Sequence, residues 1–173
     1  MCGIVAYIGP NQAYPVVING LKRLEYRGYD SAGVAIFKDE ILTVKEKGKV
    51  AELEAICTQN DISGHLGIGH TRWATHGEPN QVNAHPHTSQ NGMFTLVHNG
   101  IIENFSTLRD RLYQRGYSFQ SETDTEVLVT LIEDIADNGK LAFADAVRAA
   151  LAEVIGAYAI VVISKDHPES IVA

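Results

Sequence analysis

Met1-Cys2-Gly3-Ile4-Val5 opens the chain, and the fold turns on how this stretch is read. A cysteine directly behind the initiator is small enough for Met1 to be removed in processing. Excision leaves one residue carrying both a thiol and a free α-amine. In unstructured peptides the amine titrates at about 7.7–8.0 and the thiol at about 8.5, so both change charge close to working pH. An α-amine within reach of a nucleophile serves as its general base. Gly3, without a Cβ, lets backbone or substrate approach closely. Ile4 and Val5 start a strand, and a terminus tied into a sheet does not fray. On these five residues alone the plainer reading, a small residue that happens to follow the initiator, is the better one. The rest of the chain reverses it.

Working outward, the apolar run Gly3–Ile8 ends at Gly9-Pro10, which predicts a buried strand and a turn. Val17, Leu21 and Leu24 recur near the helical period and predict a helix over 14–25, with Pro15 in its first turn and Gly28 closing it. Two β-rich runs, 31–37 and 41–45, are joined by Lys38-Asp39-Glu40 and predict a hairpin. A short helix over 50–59 carries Cys57 at an apolar position, where a buried structural thiol is expected. Over 64–71, Leu66, Ile68 and His70 alternate with Gly67 and Gly69 in a strand pattern. Residues 72–92 read as one long polar loop, and loops of that length in a compact domain are functional or disordered.

A strand over 93–98 then ends at Asn99-Gly100, followed by an amphipathic helix over 104–115. Ser121-Glu122-Thr123-Asp124 offers an N-cap to a helix over 125–136, whose stripe is Val127, Leu128, Leu131, Ile132 and Ile135. A third long helix is predicted over 141–154, then an apolar strand over 156–164 and its partner from 170. Strands, helices and strands again, with hairpins, predict an α+β layering of antiparallel sheet and helices. The chain stops inside that last strand, whereas domain boundaries favour polar linkers. It therefore reads as a fragment of a longer protein, or as ending on an unprotected edge.

The 173 residues are 45% hydrophobic and 20% charged, an ordinary globular balance for one domain with a real core. A formal net charge of −7 argues against general binding to nucleic acid or anionic membrane. No apolar run approaches the ~20 residues of a membrane span, and the N-terminus lacks the pattern of a secretory signal. Two cysteines, Cys2 and Cys57, make no disulfide framework. A soluble cytoplasmic protein is expected. Glycine-rich phosphate loops are absent from the sequence.

Four constellations carry candidate chemistry. Asn99-Gly100 after a strand is foremost a turn dipeptide. Its functional alternative is an oxyanion hole, in which the Asn amide and the next backbone N–H aim at one developing negative oxygen. The stretch His70-Thr71-Arg72-Trp73-Ala74-Thr75-His76-Gly77-Glu78-Pro79 is dense in donors, and Arg72 is suited to grip a carboxylate with two parallel hydrogen bonds. A solvated loop is its plain alternative. Asp124 is either a helix N-terminal acid or an anchor for an α-ammonium group. With Arg72 it supplies the two charges that an amino-acid head group requires. His85-Pro86-His87, with His70 and His76 upstream, has the residue type of a metal site. The proline restricts its geometry and no Cys pair or Glu-x-x-His helix accompanies it, so no metal is assigned.

Taken together, these stretches resemble the N-terminal glutaminase domain of the glucosamine-6-phosphate synthase family, among the class II glutamine amidotransferases. The resemblance is carried by Met1–Val5, by Arg23-Leu24-Glu25-Tyr26-Arg27-Gly28-Tyr29-Asp30-Ser31-Ala32-Gly33, and by the stretch from His70 to Pro79. Further matches are Asn83-Ala84-His85-Pro86-His87, Val97-His98-Asn99-Gly100-Ile101-Ile102-Glu103-Asn104 and Ser121-Glu122-Thr123-Asp124-Thr125-Glu126. It covers residues 1–173 in order, as one glutaminase domain truncated at its C-terminus and lacking the family's sugar isomerase domains.

The resemblance implies the N-terminal nucleophile hydrolase fold, a four-layer αββα sandwich with antiparallel sheets between helical layers. It implies glutamine hydrolysis to glutamate and ammonia through a cysteine thioester, without a cofactor. In the complete enzyme the ammonia serves conversion of fructose 6-phosphate to glucosamine 6-phosphate, and that enzyme is a homo-oligomer. Carried over, Cys2 is the nucleophile with its own α-amine as base, Arg27 and Gly28 hold the terminus, and Asn99 and Gly100 form the oxyanion hole. Arg72 takes the glutamine carboxylate and Asp124 its ammonium. Thr75, His76 and Gly77 line the site, and Trp73 gates ammonia. An opening Cys-Gly-Ile is shared with amidotransferases that use other acceptors, such as phosphoribosyl diphosphate. A non-catalytic amino-acid-binding module is the reading from another class.

Overall fold

Two antiparallel sheets of four strands form the middle of the molecule in a computed structural model that describes residues 2–73 and 78–173. The first sheet contains β1 (Gly3–Ile8), β2 (Ser31–Phe37), β3 (Ile41–Lys47) and β4 (Leu66–Arg72), in the spatial order β1-β4-β2-β3. The second contains β5 (His87–Thr88), β6 (Phe94–Ile102), β7 (Gly156–Ser164) and β8 (Ile171–Val172), in chain order. Helices α1 (Ala13–Leu24) and α2 (Val50–Cys57) cover the outer face of the first sheet. Helices α3 (Phe105–Gln114), α4 (Asp124–Gly139) and α5 (Phe143–Glu153) cover the second. This is the αββα sandwich that the resemblance implies.

Three apolar layers hold the four structural layers together. Val17, Ile18 and Leu21 of α1 pack with Ala32, Val34 and Ile36 of β2. Between the sheets lie Ala35, Leu66, Ile68, Val97, Val161 and Ile163. Beyond the second sheet, Leu96, Ile102 and Val162 meet Leu128, Leu131 and Ile132. The sorting follows from the strand period of two. On β2 the even-numbered residues face helix while Ala35 and Phe37 face the partner sheet; on β7 Val162 and Val161 divide the same way. Helix α4 is apolar on several sides because it lies between β6 and its neighbours α3 and α5. Burying one such leucine or isoleucine contributes about 1.5–3 kcal/mol.

The glycines of β4 have a packing reason. A Cβ on Gly69 would lie 2.5 Å from Val17 Cγ1, and one on Gly67 would lie 3.1 Å from Ala13 Cβ. Both glycines face α1 and let it settle against the sheet. The other face of the same strand presents Leu66, Ile68, His70 and Arg72, all buried.

Helix and strand positions follow the sequence pattern to within a few residues, and Cys57 is buried as expected. Two expectations need correction. Asn99-Gly100 makes no turn: β6 runs through it to Ile102, with Asn99 opposite Ala159 and Gly100 opposite Tyr158. Gly100 takes φ +115°, and a Cβ there would lie 2.2 Å from Ala157 O, so the position requires glycine. Nor is the polar stretch after Arg72 a solvated loop throughout. Asn83, Ala84, His85 and His87 are buried, and His87–Thr88 pairs with β6. Asn83 there donates to Glu78 O and the Glu122 carboxylate, and accepts from Glu122 N–H. Among the described residues, no helix is long and apolar enough to cross a membrane.

Candidate active site

Cys2 enters β1 from the edge of a cavity of about 350 Å³, lined also by Arg27, Arg72, Trp73, His85, His98, Asn99, Gly100 and Asp124. The backbone around it is fixed on two sides. Gly3 N–H donates to Thr71 Oγ1 at 3.1 Å, and Asn99 Nδ2 donates to Cys2 O at 3.1 Å. The thiol meets the Trp73 peptide. Trp73 N–H donates to Sγ at 3.1 Å, and Sγ lies 3.6 Å from Trp73 O. That N–H fixes the position of the sulfur at the cavity edge. A larger cavity of about 510 Å³, with Lys45, Ser121 and Glu126 on its wall, has no thiol and no guanidinium among its lining residues. The smaller cavity is the better candidate for chemistry.

Gly28 contributes from beneath. A Cβ there would lie 2.7 Å from Arg72 C and 2.9 Å from Trp73 N. Its bareness lets the Arg72–Trp73 peptide pass close enough to present that N–H to sulfur. Asp30 N–H donates to Arg72 O at 3.1 Å and holds the same peptide from the far side. Arg27 reaches the cavity itself from the turn of 3-10 helix that follows α1.

Two opposite charges stand across the cavity. Arg72 ends β4, is 3% exposed, and feels the carboxylates of Asp124 and Asp30. Burial lowers its pKa, yet an arginine stays protonated at any working pH. Asp124 is the first residue of α4, where the helix dipole favours a carboxylate. Its Oδ2 accepts Ile102 N–H at 2.9 Å, which ties the helix start to the end of β6. The capping residue is Thr123, whose side chain accepts from Glu126 N–H. Glu126 in turn accepts from Ser121 N–H at 2.6 Å, and Thr123 N–H donates to Ser121 Oγ, which fixes the chain just before Asp124.

Below the cavity lies a layer of buried imidazoles. His70 stacks on His85 with ring centroids 4.3 Å apart, and His85 meets His87 edge-on at 5.0 Å. Thr125 Oγ1 lies 2.7 Å from His85 Nε2 and 2.9 Å from His98 Nδ1, and Thr123 Oγ1 lies 3.0 Å from His87 Nε2. Burial holds His70 down to about 4 and puts His85 and His87 well below their ordinary value, each further lowered by neighbouring positive charge. All three are neutral at pH 7. They hydrogen-bond to threonines and carbonyl-type oxygens, and His85 also forms part of the cavity wall.

Of the residues singled out in the sequence, the fold brings Cys2, Arg27, Arg72, Trp73, Asn99, Gly100 and Asp124 to one cavity. Gly28 supports it without lining it. Thr75, His76 and Gly77 lie outside the described residues. His70, Thr71 and Thr125 stood within the stretches singled out in the sequence, but none was given a role of its own. A signal existed for His70: it continues the inward stripe Leu66, Ile68, and a histidine at a buried strand position requires a partner.

Residues 54–173 match a family described as a glutamine amidotransferase domain. Over its whole length the chain is 59% identical to glutamine--fructose-6-phosphate aminotransferase [isomerizing] of Bacteroides thetaiotaomicron, and 52% identical to the protein of that name from Clostridium perfringens. The chain spans 28% of the length of each of these relatives. Among solved structures, it superposes with a TM-score of 0.82 on glutamine phosphoribosylpyrophosphate amidotransferase from B. subtilis complexed with ADP and GMP. That match is 29% identical and covers 95% of this chain and 35% of the other. A glutamine aminotransferase class-II domain protein from Silicibacter pomeroyi, 16% identical with a TM-score of 0.60 over 95% of this chain and 73% of that one, shares the fold.

Proposed function

The chain belongs to the glutamine amidotransferase domain family, and from that premise we propose that residues 1–173 are a glutaminase domain in which Cys2, freed of Met1, hydrolyses glutamine. The observation that carries this reading is the meeting, in one cavity, of a thiol held by an N–H, an amide donor beside it, and a guanidinium–carboxylate pair. Arg72 takes the α-carboxylate of glutamine and Asp124 its α-ammonium. This places the side-chain amide toward Cys2.

The Cys2 thiol passes its proton to the Cys2 α-amine, and the thiolate attacks the amide carbon. The C=O π electrons move to oxygen, and the oxyanion is held by Asn99 Nδ2–H and Gly100 N–H. Collapse expels the nitrogen, which takes the proton from the α-ammonium and leaves as ammonia. Water then attacks the thioester, the amine takes its proton, and glutamate departs as the thiol reforms. Each oxyanion donor of this kind contributes about 2.7–4 kcal/mol to lowering the barrier. Arg27 and Gly28 hold the terminus and the Trp73 peptide, and the Trp73 ring, half exposed and edge-on to Tyr29, gates the escaping ammonia.

The relatives' name assigns the ammonia to fructose 6-phosphate, and we extend that acceptor to the whole protein carrying this domain, which acts in the cytoplasm. A second acceptor, phosphoribosyl diphosphate, is favoured by the structural similarity to the B. subtilis enzyme. Product analysis of the full protein with each acceptor separates the two. The test of the glutaminase itself is intact mass after exposure to 6-diazo-5-oxonorleucine. A chain lacking Met1 with one adduct on Cys2 is expected, and Cys2→Ala is expected to abolish glutamate release while staying folded. Appreciable turnover by that variant overturns the assignment of Cys2.

A further inference from the structure

His70 is buried on β4, an interior strand of the first sheet, yet its ring reaches across to β6 of the second. Nε2 lies 3.1 Å from His98 O and 2.8 Å from Asn99 Oδ1. A backbone carbonyl only accepts, so Nε2 carries the hydrogen. That hydrogen also meets the amide oxygen of Asn99. The Asn99 carboxamide is thereby turned so that Nδ2 faces the terminus, where it donates to Cys2 O at 3.1 Å. The opposite orientation would set Nδ2 against the His70 N–H and Oδ1 against Cys2 O, unfavourable at both ends. His98 O fixes the tautomer of His70 independently of Asn99, so the relay runs in one direction.

We infer that His70 is the positioning residue of the amide donor at Cys2, using its Nε2–H to lock the Asn99 carboxamide with Nδ2 presented to the reacting centre. This deepens the glutaminase reading and rests on it for its kinetic consequence. The lock is built for stiffness. Its backbone is paired on both edges, with Ile4 of β1 and Gly33 of β2, and the His85 ring stacks on the face of the imidazole at 4.3 Å. An imidazole stacked on one face and held at Nε2 by two oxygens resists the rotation that would release the amide. A side chain preorganised in this way costs no reorientation when charge develops on the substrate oxygen.

The test compares His70→Leu, which removes the donor, with His70→Gln, whose Nε2 occupies nearly the same place and still donates. In the protein hydrolysing glutamine, His70→Leu is expected to lower kcat about 10²-fold, near the lower end of what losing an oxyanion donor costs. KM should change less than threefold, because Arg72 and Asp124 hold the head group. His70→Gln is expected to recover most of kcat. A general loss of packing would not show this split or this rescue. Equal kcat losses in both variants, or an unchanged kcat in His70→Leu, overturn the inference. Crystal structures of the two variants decide the matter without turnover. His70→Leu should lose the Asn99 Nδ2–Cys2 O contact and His70→Gln should keep it, and an unmoved carboxamide in His70→Leu overturns the positioning. Failure of the wild-type protein to release glutamate counts instead against the glutaminase reading, and leaves the crystallographic arm to judge His70.

Discussion

Acidification should unfold this domain steeply, and the slope is set by its buried imidazoles. An ordinary histidine titrates near 6.5, whereas burial holds His70 to about 4 and puts His85 and His87 well below the usual value. Above pH 6.5 both the native and the unfolded chain keep these rings neutral, and the stability they permit is fully present. Below 6.5 the unfolded chain binds a proton at each ring while the native chain does not, so stability falls as pH falls toward 4. At pH 5 the difference approaches three protons. Glu133, whose carboxyl is pushed up by burial, works in the opposite sense and returns at most one.

At about 1.4 kcal/mol per proton per pH unit, a net of two to three protons gives a slope of about 3–4 kcal/mol per pH unit. A domain with about 5–15 kcal/mol in hand loses a large part of it within one or two units. Urea unfolding between pH 7 and 5, with stability plotted against pH, reads the slope directly. A slope under about 1 kcal/mol per unit in that window refutes the claim that these rings are buried and neutral.

Three further outcomes follow from other contacts. Gly69→Ala places a Cβ 2.5 Å from Val17 Cγ1 and 3.0 Å from Leu21 Cδ1, so α1 must shift. A loss of about 1–3 kcal/mol is expected in urea unfolding, and an unchanged midpoint would show that the helix yields freely. Asp124→Asn keeps an oxygen for Ile102 N–H but removes the charge offered to the substrate ammonium. KM for glutamine should rise about 10- to 100-fold with a smaller change in kcat, the scale of a lost charge-assisted hydrogen bond, and an unaltered KM removes Asp124 from the head-group clamp. Gly28→Ala drives a Cβ into the Arg72–Trp73 peptide. Displacing the N–H that faces sulfur should lower glutamine turnover about 10²-fold, with the fold intact by circular dichroism; wild-type turnover would assign Gly28 to packing alone.

Much of this architecture was legible because its determinants are local. The spacing of Val17 and Leu21, and the cap at Thr123 before an apolar stripe, specify helices wherever the rest of the chain goes. Asn99-Gly100 misled because its turn preference is also local, whereas the pairing of Asn99 with Ala159 comes from a strand far along the chain. Pairing on β7 satisfies the backbone on both sides of the dipeptide, and that outweighs turn propensity. Residues 83–87 misled for a related reason. Polar composition suggests solvent, but Asn83 and His87 find partners in Glu122 and Thr123, two residues that no short-range pattern links to them. Site residues such as Cys2, Arg72 and Asp124 were visible as chemical types. Their convergence depends on the stacking of two sheets, which periodicity does not encode.

That stacking also explains why the cavity lies where it does. Residues two apart on a strand share a face, so each inward stripe continues from the apolar seam between the sheets into the cavity. On β4 the stripe runs Leu66, Ile68, His70, Arg72; on β6 it passes from Val97 to Asn99; on β1 it reaches Ile4 from the side of Cys2. The candidate site is therefore the polar end of the inter-sheet core. Its side chains are held by the same interlocking that makes the core dense, and each bond between His70, Asn99 and Cys2 joins one sheet to the other. A substitution deep in the seam, at Ile68 or Val97, should thus be felt at the sulfur through the spacing of the sheets. One on the outer face of either sheet should cost stability and leave the site geometry alone.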